Sequence, residues 1–141
     1  MATRTESGEM WLSSVRRARF SGEIWLRRTG QGTASVWPWR ESDLAFDGLR
    51  CDSLGCVQDI QGQKIAFVRD ARALLEDCAE ADLVISLVPV KTFCTVPHTI
   101  IDRFNLWRNG AHAIWLGESG AHIRTVADMR GDRPWVVRRG N

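Results

Sequence analysis

The chain has 141 residues, 44% of them hydrophobic and 26% charged, which suits one ordinary domain with a real core and argues against wholesale disorder. No apolar run approaches the roughly 18 residues that a bilayer span requires, and the polar opening MATRTESGEM does not resemble an export signal. The net charge of +2 is close to balance, so a strongly basic nucleic-acid binder is not expected from charge alone.

The Ser7-Gly8 turn precedes a short strand at residues 10–13. Residues 18–28 are predicted to form a helix with Phe20 and Ile24 on one apolar face. Arg27 and Arg28 fall in its last turn, where cations complement the negative end of the helix dipole. Gly30 and Gly32 stop it. Residues 31–48 look irregular, because Pro38 between Trp37 and Trp39 disfavours helical geometry before it. The two Trp rings are expected to cover a core edge. Asp52-Ser53-Leu54-Gly55 should turn the chain between two short extended segments. Gln61-Gly62-Gln63 is a second turn, followed by a strand at 64–68.

Asp70 is a good N-cap for a helix over residues 71–81, with Ala71, Leu74, Leu75 and Cys78 as its apolar stripe. The apolar run at 83–88 predicts a buried strand. Strand, helix and strand make a βαβ-like unit. Pro97 is placed to open a further helix whose buried face holds Ile100, Ile101, Phe104 and Trp107, closed by Gly110. Asp102 within it forms either a buried pair with Arg103 or the polar side of the helix, the second being favoured. Residues 111–116 and 121–126 predict a final hairpin, and Trp135 is expected to anchor the tail. The assembled expectation is a single α/β domain over 1–141, a mixed-sheet layered structure.

Candidate chemistry is sparse. The four cysteines, Cys51, Cys56, Cys78 and Cys94, include no CxxC pair, so zinc-ribbon spacing is absent. Buried thiols and disulfides both fit the count; disulfides need an oxidising compartment. His98, His112 and His122 form no short-spaced ligand motif, and no metal or other cofactor is expected. Gly30-Gln31-Gly32 lacks the third Gly and the preceding strand of a phosphate-binding loop. Ser119 sits in no nucleophile elbow. Cys94, four residues before His98, could meet it in a helical first turn, where the dipole would lower the thiol pKa; its neighbours, Phe93 and β-branched residues, resemble core packing instead. The strongest binding signal is basic. Seventeen of the 19 Lys and Arg residues are Arg. Arg16, Arg17, Arg19, Arg27 and Arg28 cluster around the first helix, with Trp11 and Trp25 nearby. Arg with aromatic rings is the chemistry of single-strand binding; a solvated helix face with its rings turned inward is the competing interpretation.

The order of four strings adds to this. Arg50-Cys51-Asp52-Ser53-Leu54-Gly55-Cys56 comes first, then Glu76-Asp77-Cys78-Ala79-Glu80-Ala81-Asp82-Leu83-Val84. Ile101-Asp102-Arg103-Phe104-Asn105-Leu106-Trp107-Arg108-Asn109-Gly110-Ala111 follows, and Arg130-Gly131-Asp132-Arg133-Pro134-Trp135 ends the series. In this order they resemble the C-terminal end of ComEC-family competence proteins, alphaproteobacterial versions above all, over essentially the whole chain. Those proteins are inner-membrane channels that admit single-stranded DNA during natural transformation. The resemblance implies part of a metallo-β-lactamase-like αββα sandwich at the periplasmic face of the inner membrane. The membrane-channel portion of the parent protein would then be a partner, as would single-stranded DNA. It implies no catalytic residue, since the metal-binding His/Asp cluster of that fold has no counterpart in this sequence. A periplasmic location would also favour oxidised cysteines, and Cys51 with Cys56 and Cys78 with Cys94 is the pairing with the shortest loops. A fragment of a two-sheet sandwich would leave apolar surface open, so self-association is a further expectation.

Overall fold

The computed structural model describes residues 1–5, 7–17, 19–39, 48–90, 94, 99–131 and 133–135. Helices and mixed sheets alternate along it, in keeping with an α/β class. They fall into two compact units, Met1–Ser53 and Leu54–Asn141.

The first unit begins with strands β1 (Ala2–Arg4) and β2 (Met10–Leu12), antiparallel with Thr3 opposite Trp11. Thr5 closes the connection. Its Oγ1 accepts from Glu9 N at 2.9 Å, and its carbonyl accepts from Gly8 N at 2.9 Å. Helix α1 (Arg19–Thr29) then crosses over to β3 (Ser35–Val36), which runs parallel to β2. This is a miniature βαβ unit that the sequence pattern does not predict. Gly22 is the buried residue of α1, and a Cβ there would stand 2.9 Å from Leu12 Cδ1. The missing side chain therefore lets helix and strand approach. Gln31 fixes the far end: its Oε1 accepts from Met10 N at 3.0 Å and its Nε2 donates to Gly8 O at 2.8 Å. Leu12 and Trp37 are each 2% exposed. Trp39 is half-buried, its indole N–H donating to Ser13 O at 2.7 Å. The residues around Pro38 thus belong to the core and its edge, as their cost in water requires. Strand β4 (Leu49–Cys51) ends the unit.

In the second unit, β5 (Gly55–Ile60) and β6 (Gln63–Val68) form a hairpin. Its two turn residues, Gln61 and Gly62, have φ of 53° and 76°. Positive φ at both positions is the turn whose twist matches a two-residue hairpin. A short 3₁₀ turn at Ala71–Ala73 leads into α2 (Leu74–Glu80). Strand β7 (Leu83–Ser86) returns parallel to β6, and β8 (Thr99–Ile101) lies parallel to β7. The order within this unit is β5-β6-β7-β8. Asp82 holds the β6–β7 register from both sides of one residue. Its carboxylate accepts from Lys64 N at 2.8 Å, and its own N–H donates to Lys64 O at 2.8 Å.

The core of this unit joins Ala66 and Val68 of β6, Leu74 and Cys78 of α2, Ala81, and Val84 of β7. Leu74, Cys78 and Ala81 recur at the spacing of one helical face. Leu75 does not: it is 74% exposed, and Ala71 is exposed too. The inward stripe is thus narrower than the composition suggests.

The expected helix opened by Pro97 differs most. Residues 95–98 lie outside the described residues. Thr99–Ile101 is a strand, and α3 covers only Arg103–Asn109. Ile100 therefore packs from a strand, while Phe104 and Trp107 are 45% and 52% exposed. The reason is Asp102. It is 6% exposed and caps α3, with Oδ1 accepting from Phe104 N at 2.8 Å and Asn105 N at 3.1 Å. Asn105 Oδ1 accepts in return from Asp102 N at 3.0 Å, completing a capping box. Asp102 is neither paired with Arg103 nor on a polar helix side.

Gly110 ends α3 at φ 75°, and a Cβ added there would meet Val126 Cβ at 3.1 Å. Strands β9 (His112–Gly117) and β10 (Gly120–Thr125) form the last hairpin, followed by α4 (Val126–Arg130). Gln63 Nε2 donates to Gly117 O at 2.6 Å, tying this hairpin to the start of β6. Trp135 is 76% exposed, so it is not the buried anchor that the sequence predicts.

Replacing Asp102 by Ala should lower stability by roughly 1–2 kcal/mol, because it removes the cap and leaves the N–H groups of Phe104, Asn105 and Val90 without their acceptor. Urea unfolding checks this; Asp102→Asn, which keeps one oxygen, should cost less. Asp70 sits at the mouth of the 3₁₀ turn. Its carboxylate accepts from the Arg72 guanidinium at 3.1 and 3.0 Å and from Arg72 N at 3.0 Å. Those bonds lower its carboxyl to about 2. A depressed acid stabilises the fold above its unfolded pKa, and the effect is lost as pH falls through the folded value. Carboxyl-carbon NMR should therefore place the Asp70 midpoint near pH 2, and Arg72→Gln should move it upward.

Candidate nucleic-acid interface

The arginines singled out by the sequence lie in the first unit, around the start and end of α1. Arg16 and Arg17 occupy the turn before the helix, where Ser14 Oγ accepts from Arg17 N at 3.2 Å. Arg19 is the first helical residue, and Arg27 and Arg28 lie in the last turn. All five are exposed. Arg19 Nε donates to Glu23 Oε1 at 3.1 Å, and Arg27 approaches Glu23 Oε2 at 4.0 Å. The Arg19 and Arg27 side chains remain 83% and 80% exposed in these pairs. Exposed pairs of this kind hold their partners weakly, so both guanidiniums stay accessible to a stronger anion. Arg16, Arg17 and Arg28 form no ion pair among the described residues. Five cations thus face one carboxylate along this segment.

The rings divide differently from the expectation. Trp11, on β2, and Trp25, on α1, are half-buried. They belong largely to the packing of the unit. The exposed ring is Phe20, 77% exposed. At 100° per residue it lies roughly 160° around α1 from the inward-facing Gly22 and close in azimuth to Arg27. Its position four residues before Ile24 predicts burial, and the structure overturns that expectation. The signal that distinguishes the two interpretations is Gly22, whose lack of a side chain marks the side that touches β2.

The other candidates are not brought together. His112 Nδ1 lies 2.9 Å from Gly110 O, and His122 packs against Trp115 with ring centroids 5.8 Å apart. His98 is outside the described residues. Among the described residues, no three His, Cys, Asp or Glu side chains are placed to hold a metal ion. Gly30 takes φ 73° after the helix, as a terminating glycine. Asp128 caps α4 through Thr125. Its Oδ2 accepts from Thr125 Oγ1 at 2.7 Å and Thr125 N at 2.8 Å, which holds the carboxyl below its usual range. Glu76 and Asp77 lie in the first turn of α2, where the positive end of the helix dipole favours acids.

All four cysteines are disulfide-bonded. Cys78 and Cys94 are bonded to each other, with Cα atoms 5.2 Å apart and a sequence separation of 16. The bond lies against the core, since Cys78 is 2% exposed and Cys94 packs beside it. It ties the segment after β7 to α2. Cys94 is thus part of a cross-link and carries no thiol beside His98.

Comparison with protein-family models, with curated proteins and with solved structures yields no match. No helix among the described residues is long and apolar enough to cross a membrane.

Thiol titration of the denatured, unreduced protein should detect no free thiol. The double substitution of Cys78 and Cys94 by Ser should cost about 3 kcal/mol, the chain-entropy value for a loop of this length. Urea unfolding of the doubly substituted chain beside the parent, both without reductant so that the other cysteines stay oxidised, measures it.

Proposed function

We propose that this chain is a non-catalytic domain of a DNA-uptake channel protein and that it contacts single-stranded DNA through the surface around α1. The observation that carries this reading is the display of Arg16, Arg17, Arg19, Arg27 and Arg28 in the open, opposed on that segment by Glu23 alone. Guanidiniums neutralise phosphates and release bound counterions, a driving force that needs no base sequence. Phe20 supplies an exposed ring on which a base can stack. The four ordered strings that resemble ComEC-family proteins supply the biological setting. In that setting the mixed sheet β5-β6-β7-β8, with α2 against β6, is a layer of a metallo-β-lactamase-like sandwich. The partner is the membrane-channel portion, and the location is the periplasmic face of the inner membrane. Disulfide-bonded cysteines suit that compartment.

An independent single-strand-binding module rests on the same arginines and needs no membrane partner. A reading frame that continues upstream into membrane spans selects the channel protein. A metal- or thiol-dependent hydrolase is the third interpretation; the disulfide-bonded cysteines leave its thiol branch without a nucleophile, and an assay with added divalent metals bears on the metal branch directly.

The test is anisotropy of a labelled oligo-dT at increasing salt, run beside that nuclease assay. Five phosphate contacts would give a slope of about −3.5 in log K against log salt, or roughly 100-fold weaker binding for a fourfold rise in salt. Replacing Arg16, Arg17, Arg27 and Arg28 together by Glu should abolish binding, and the oligonucleotide should remain intact with magnesium, manganese or zinc. Salt-independent binding, binding that survives the four substitutions, or metal-dependent cleavage overturns the proposal.

A further inference from the structure

The β9–β10 hairpin carries a second arrangement of ring and cation, in the other unit and with none of the residues used above. Its register is fixed: Trp115 stands opposite His122, and Ala113 opposite Arg124. Alternation along a strand puts these four on one side and Ile114, Leu116 and Ile123 on the other. The second set is half-buried, as expected of the face turned toward the protein. The first set is exposed throughout. A hairpin needs only its inner face to be apolar, so burial does not call for a Trp on the outer one; pairing across the strands with His122 contributes modestly to the hairpin and leaves the outer ring face open.

Trp115 is 53% exposed, and its ring lies 5.8 Å from that of His122 at a tilt of 40°. The pair presents a wide aromatic surface. Arg124 is the diagonal neighbour of Trp115, at the roughly 7–8 Å typical of such pairs. The residue between them on this face, Ala113, is small and leaves the floor low. Arg124 forms no ion pair among the described residues. The acids near it in sequence are occupied or distant. Asp128 lies near enough to feel the charge of Arg124 but is hydrogen-bonded to Thr125 in capping α4 and forms no ion pair with it, and Glu118 sits in the hairpin turn, at the opposite end from Arg124.

We propose that this outer face is a base-stacking site for single-stranded nucleic acid, in which a base lies on Trp115 beside His122 and the adjoining phosphate pairs with Arg124. Every base has a π-face, so such a platform takes a strand without reading its sequence. A planar guanidinium one step from the ring suits the phosphate spacing of a strand laid across it. A second copy of the chain would be favoured by apolar residues around Trp115, whereas this ring is bordered by an imidazole and a cation. The inference shares its ligand class with the proposal for α1 but rests on separate residues.

The experiment uses the full chain and three oligonucleotides: dT, rU and an abasic strand of equal length. Trp115→Ala should weaken binding to dT and rU alike, about fivefold or more, the low end of what one stacked base contributes. Trp115→Phe should retain most of the affinity, and neither substitution should change binding to the abasic strand. Arg124→Ala should reduce the salt slope by about 0.7, the value for one phosphate contact on a single strand. Urea midpoints unchanged from the parent would show that the variants remain folded. Unchanged dT binding by Trp115→Ala, equal losses on dT and abasic strands, or a dimer that dissociates on Trp115→Ala overturns the inference. The charge-reversed α1 variant separates the two sites: if it still binds dT and Trp115→Ala does not, the α1 proposal fails and this one stands. No binding by the unsubstituted chain overturns both.

Discussion

One buried carboxylate organises the second unit. Asp102 takes three backbone N–H groups: Phe104 and Asn105 on Oδ1, and Val90 on Oδ2 at 3.2 Å. Two of these belong to the start of α3 and the third to the chain leaving β7. A seven-residue helix is too short to persist on its own, so α3 depends on this cap and on what it packs against. The Val90 bond lies beside the same core that receives Val88, Val90, Cys94 and Ile100. The disulfide between Cys78 and Cys94 acts on that stretch from the side of α2. A parallel strand has no tight turn to set its register. Here a cap, a cross-link and a small apolar cluster set it instead.

The same residue marks the limit of what the sequence discloses. The hairpin turning at Gln61 and Gly62, the β6–α2–β7 crossover and the final hairpin follow from turn chemistry and hydrophobic periodicity, and each is present with its boundaries shifted slightly. Thr99 to Trp107 is different. Ile100, Phe104 and Trp107 recur at helical spacing, yet the β-branched run at Thr99–Ile101 pairs as a strand with β7 and Asp102 begins a new element. Periodicity shows one helix where a cap divides a strand from a shorter one. The β2–α1–β3 unit is hidden for another reason: strands of three and two residues are shorter than any alternating pattern can reveal. Side-chain exposure is the least legible property. Phe20, Leu75 and Trp135 are hydrophobic and stand in water, and nothing in their spacing distinguishes them from Leu12 or Leu74. For the α1 site, the residue types are legible as a cluster of arginines; which ring accompanies them follows only when Gly22 is taken to mark the inward side of the helix.

Net charge is too coarse a guide to surface chemistry here. A balance of +2 suggests little attraction for a polyanion, but the two signs are used differently along the chain. Asp70, Asp102 and Asp128 each take part in a cap at a helix start. Bonded in this way, a carboxylate satisfies donors that a helix end leaves open. Asp82 does the same for the β6–β7 register. The arginines of α1 and Arg124 project outward; Glu23 pairs with Arg19 and approaches Arg27, and Arg124 feels the carboxylate of Asp128 without forming an ion pair among the described residues. A field near the surface depends on where charges stand, not on their sum. Where aspartates serve the backbone in this way they do not face the arginines of α1, which stand beside the exposed ring of Phe20 on a chain whose charges nearly cancel.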